Sequence, residues 1–156
     1  MARPTANLHR MHSHSLEGLD APTVNGRRRV RTVTARTPAD LARLVRLVHG
    51  WTCDITSVAL DDQSARLHLP LAPPAERRRP GAGVAGELVV RRVAEFSIEH
   101  AGRRRRFALE GLLYDASSGR LSIRCATATQ FVIGVDTLDV VLRLAVRQPG
   151  TGHGQR

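Results

Sequence analysis

The chain has 156 residues, of which 42% are hydrophobic but only 3% aromatic. That is enough apolar surface for one core of Val, Leu, Ile and Ala, and too little aromatic surface for stacking bases or sugars. Its 24 basic residues, all arginine, stand against 14 acids and give a formal net charge of +10, which bears on partners rather than on fold. Two cysteines exclude a disulfide framework, and no run reaches signal-peptide length or the roughly 20 apolar residues of a membrane-crossing helix, so a cytoplasmic location is expected.

A genome with strong G+C bias accounts for arginine in place of lysine more simply than selection for the bidentate grip of guanidinium on phosphate. The net positive charge survives that discount.

Residues 1–25 carry Pro, Ser, Asn and His without periodicity and are predicted to be a disordered tail, with Met11 as a second candidate start. His9, His12 and His14 have the chemistry of transition-metal ligands. A specific site also needs fixed geometry and supporting contacts, so adventitious binding is the expectation and no metal or cofactor is predicted.

A single domain is expected over 26–147. It opens with a weakly alternating strand from Arg28 to Arg36, followed by a helix with Thr37 as N-cap, Pro38 at the first helical position and Asp40 at the third. Leu41, Leu44, Val45 and Val48 repeat at helical spacing and form its buried stripe, with Arg43 and Arg46 outside and His49-Gly50 ending it.

Trp51 to Leu60 and Arg66 to Leu71 read as a hairpin that sets Leu60 across from Leu67 and Val58 across from Leu69. The wording of 57–69 aligns without gaps on 111–123, which supports two hairpins with the same turn chemistry rather than a duplicated unit. Between them, 72–86 contains three prolines, three glycines and the run Arg77, Arg78, Arg79, and is predicted to be a linker.

From Glu87 to Arg147 apolar and polar residues alternate in successive runs, the pattern of an antiparallel β-meander. A turn at Ala101-Gly102 would pair Phe96 with Phe107 and Ile98 with Arg105, with Glu99 opposite Arg104 on the wet face. A second turn, Asp115 to Arg120 with Gly119 at positive φ, would pair Tyr114 with Leu121 and Leu112 with Ile123. The inward phase is odd at Phe107 and Leu109 but even at Leu112 and Tyr114, which predicts a β-bulge at Gly111. Leu121, Ile123 and Cys125 face inward beyond that turn. The last strand turns Leu138, Val140, Leu142, Leu144 and Val146 to one side, and 148–156 reads as a second tail.

The predicted fold is therefore α+β, one helix packed on a meander of four or so strands, in the order β-α-ββ-ββββ. Phe96, Phe107, Leu109, Ile123, Leu142 and Leu144 should be buried with Leu44 and Val48.

No catalytic grouping emerges. His49, Cys53 and Asp54 sit at a helix C-terminus, the wrong end of the dipole for a thiolate. His68 and His100 have no partner at useful spacing and read as solvated, and Glu95 and Glu99 lie on an exposed face without the cleft that acid/base work requires. The candidate polyanion contacts are Arg77, Arg78, Arg79, Arg103, Arg104 and Arg106, without a helix-turn-helix or interleaved aromatics to read a sequence. The expected function is a small non-enzymatic binding module for a protein partner; the alternative is an arginine-rich nucleic-acid or polyanion binder, with a small hydrolase third.

Overall fold

The computed structural model describes residues 28–75, 84–99 and 103–147. The order is β1 (Arg28–Ala35), α1 (Pro38–Val48), β2 (Thr52–Asp54), a 3-10 turn (Ile55–Ser57), β3 (Ala59–Asp61) and β4 (Arg66–Ala72). There follow β5 (Val84–Val90), β6 (Val93–Glu99), β7 (Arg106–Asp115), β8 (Arg120–Cys125), β9 (Gln130–Val135) and β10 (Val140–Arg147). The tails expected at 1–25 and 148–156 lie outside the described residues. Of the segment 72–86, Ala72 closes β4 and Val84 to Gly86 open β5.

The helix forms as its sequence dictates. Thr37 Oγ1 accepts from Asp40 N at 3.1 Å while Asp40 Oδ2 accepts from Thr37 N at 3.2 Å, a reciprocal capping box. Leu41, Leu44 and Val48 are buried, and the chain leaves through His49 and then Gly50 at φ +80.

The balanced α+β meander is corrected. The protein is mostly β: ten antiparallel strands form one sheet, ordered β1-β10-β5-β4-β2-β7-β8-β9-β6 with β3 beside β4, and one α-helix accompanies it among the described residues. Two strands that the alternation did not separate account for much of the difference. β5 is buried on both faces from Gly86 to Val90 and so lacks alternation, and β9 inserts between β8 and β6.

The predicted pairing of Phe96 with Phe107 is also overturned. β6 pairs with β9, setting Phe96 opposite Ile133 and Ile98 opposite Phe131, while β7 pairs with β2 and β8. Consecutive runs need not be neighbours; here Phe96 gains the Phe131 ring, stacked at a centroid distance of 6.2 Å.

The second turn follows its sequence. Asp115 pairs with Arg120, Tyr114 with Leu121 and Leu112 with Ile123, and the register shifts between Leu109 and Gly111. Asp115 Oδ1 accepts from Ser117 N and Oγ, and Gly119 takes φ +66 with its N–H on Asp115 O. Leu60 meets Leu67, but the first arm of that hairpin is broken: β2 and β3 lie against the same side of β4, and the 3-10 turn takes up the excess residues between Cys53 and Ala59.

β5 and β6 are separated only by Arg91 and Arg92, yet stand third and last in the sheet order, so the sheet curls to bring its far end back. Arg92 makes this corner at φ +56, and its carbonyl accepts from Asp136 N. Inside the curl, Leu69, Leu88, Leu142, Phe107, Leu109, Ile123 and Phe131 form one core with Leu44 and Val48 of α1. Phe96 and Leu144 are only partly buried at its margin, and Val146, expected inside, is exposed.

Candidate functional site

A groove lies beside the bulge in β7. Register passes from Leu109 opposite Cys125 to Gly111 opposite Arg124, leaving Glu110 as the additional residue and bending the strand away from its neighbour. A Cβ placed on Gly111 would meet nothing within 4 Å, so the space beside the bulge is open.

Helix α1, packed on β1 and β7, supplies the opposite wall. The groove has a volume of about 550 Å³, with Val45, Leu112 and Leu113 giving it apolar surface and Arg46, Arg124 and Glu110 giving it charge. Leu113 is 53% exposed, the most exposed large apolar side chain among the described residues. Arg46 and Arg124 come from separate elements, α1 and β8, so the fold gathers them where the sequence does not.

Of the predicted polyanion contacts, Arg103, Arg104 and Arg106 do not line this groove. Arg77, Arg78 and Arg79 are outside the described residues. Arg103 and Arg104 are exposed ahead of β7, and Arg106 begins that strand with a side chain 80% exposed, its Nε 3.7 Å from Asp54 Oδ2. Five residues of strand, roughly 16 Å, separate Arg106 from Gly111. Arg106 is therefore separate from the groove arginines Arg46 and Arg124.

The weighed nucleophile grouping is not assembled. His49 is exposed at the helix end, Asp54 caps the 3-10 turn by accepting from Thr56, and Cys53 is fully buried. Burial, with Cys125 and Asp54 nearby, pushes the Cys53 thiol up to about 12, so it stays protonated. Glu99 accepts from Gln130 Nε2 at 2.6 Å on β9 instead of facing Arg104, and Glu95 is exposed. His9, His12, His14 and His100 lie outside the described residues, and among the described residues no group of three metal-binding side chains occurs.

His68 corrects its reading as a solvated residue: it is 9% exposed and its Nδ1 lies 2.6 Å from Oε1 of the buried Glu87. β4 buries three successive residues, Leu67, His68 and Leu69, although the sequence itself alternates there. An alternating pattern alone would have placed His68 in water.

No helix among the described residues is long and apolar enough to cross a membrane. Comparison with protein-family models, with curated proteins and with solved structures finds no match.

Proposed function

We propose that this chain is a small non-enzymatic binding module, and that an acidic, partly apolar segment of a protein partner occupies the groove between α1 and the β7 bulge. The observation that carries the reading is the meeting of Arg46 and Arg124 around the apolar surface of Val45, Leu112 and Leu113. Apolar contact supplies affinity while the two guanidinium groups select carboxylates and set orientation. Glu110, which also lines the groove, disfavours a segment of unbroken negative charge and favours a basic or neutral residue at its own position. A cytoplasmic setting suits two buried cysteines that are free thiols.

Selection from a displayed random-peptide library on the full chain tests this. Recovered peptides should combine acidic with apolar residues and should lose binding to Arg46→Glu and Arg124→Glu variants while retaining it with Arg103→Glu. Loss on Arg103→Glu alone would sink the reading.

The polyanion alternative rests on exposed Arg103, Arg104 and Arg106. Phosphate contacts of that kind give binding indifferent to base sequence, with a log-log salt slope of about 0.9 per phosphate neutralised on duplex DNA. Titration of labelled duplex at two salt concentrations separates the readings: binding that shows this slope, is still tight at physiological salt and is lost in Arg103→Glu would favour the alternative.

A further inference from the structure

A second site lies on the face of β4, β5 and β10 turned away from the core. Alternation sends Leu69, Leu88 and Leu142 into the core and leaves Glu87, Val89, Val141 and Arg143 on the other side. Glu87 stands directly between Pro70 of β4 and Arg143 of β10, with His68 diagonal to it. The His68 and Glu87 side chains, only 11% and 3% exposed, meet through Nδ1 and Oε1 at 2.6 Å. Glu87 Oε2 is also buried and has no hydrogen-bond partner.

An unfilled acceptor on a buried carboxylate is costly, and such groups persist where a donor reaches them. The nearest opposite charge in register is Arg143, half-buried, yet no ion pair among the described residues includes it. Direct cross-strand neighbours of opposite charge attract one another. Here Glu87 leans along the sheet to His68, leaving an acceptor and a guanidinium on adjacent strands without contact.

We propose that this face binds a small aminocarboxylate, its ammonium on Glu87 Oε2 and its carboxylate on Arg143. Buried Val89 and Val141 border the site one step along the strands, and exposed Thr32, beside Arg143 on β1, marks its open side. On the same face Asp139 lies 3.9 Å from both Arg36 and Arg91, a loose approach that leaves its Oδ1 without a hydrogen bond, and Asp61 near His68 accepts from Ser64. Glu87, with its unpartnered Oε2, and Arg143, directly opposite, are the two groups offered to a zwitterion.

Calorimetric titration of the full chain with glycine, β-alanine and γ-aminobutyrate, which differ in charge separation, tests the site. At least one should bind saturably where methylammonium and acetate do not, and should weaken by at least about tenfold in Arg143→Gln and Glu87→Gln. The His68 imidazole resonances should move with the same saturation. Should Glu87→Gln fail to fold, Arg143→Gln carries the test, because its side chain is only half-buried. Absence of saturable binding, or binding unchanged in Arg143→Gln, overturns the proposal; so does a strong Glu87 to Arg143 coupling in a ligand-free double-mutant cycle, which would mean that the two side chains pair directly.

Discussion

Gly86 of β5 lies against the Trp51 ring: a Cβ at that position would stand 2.8 Å from Cζ3 and 3.3 Å from Cε3. Glycine in a strand usually weakens it, and alanine would usually be the better residue. Here the indole takes the space of the missing side chain. Gly86→Ala should destabilise by about 1–3 kcal/mol through overpacking. Chemical denaturation measures this, and the loss should shrink in a Trp51→Leu background.

Leu142 is fully buried in β10, between β1 and β5, whereas Leu144 on the same strand is only partly buried. Leu142→Ala should cost about 2–5 kcal/mol and Leu144→Ala clearly less. Equal midpoints for the two variants would contradict the depth assigned to them.

The two thiols provide an alkaline test. Burial pushes Cys53 up to about 12 and Cys125 up to about 11, from an ordinary value of 9.0. A folded-state pKa raised above the unfolded one contributes stability present below the unfolded value and lost as pH rises through the folded value. Stability should therefore fall from about pH 9 towards 12, less steeply in Cys53→Ala. At neutral pH both thiols should resist an aromatic disulfide reagent until denaturant opens the core.

The acid limb has the opposite sign. Asp40 is held below its ordinary value by the N–H of Arg36 and by Thr37, Asp54 by the Thr56 hydroxyl, Asp61 by Ser64 and Asp115 by Ser117. Each carboxylate stabilises the fold above the unfolded value of 3.8, and this is lost as pH falls through the lower folded value. Asp115→Asn should flatten the acid limb below pH 4, with little change in its slope near pH 7; an unchanged acid limb would contradict the turn's hydrogen bonds.

Local chemistry was readable in the sequence, and long-range pairing was not. The Thr37 to Asp40 cap, the Gly119 turn and the Gly111 bulge each depend on residues a few positions apart, so their spacing determines them. Which strand lies beside β6 depends on a corner at Arg91 and Arg92 and on a partner more than thirty residues away. The pattern of Phe96 and Ile98 marks their buried side but carries no information about the neighbour. The groove fell between these cases: Arg46 was correctly read as outward and the bulge was foreseen, but their meeting depends on α1 packing against β7.

The pairing of β1 with β10, from Arg28 opposite Arg147 to Ala35 opposite Val140, has a consequence for biosynthesis. β1 leaves the ribosome first among the described elements, and its hydrogen-bonding partner is the last of the described strands to emerge. Until β10 has been made the β1 backbone has no native strand to join, and its arginines keep this unpaired edge charged and averse to stray association. Completion of the sheet is thus governed by the slow closure of contacts between distant parts of the chain.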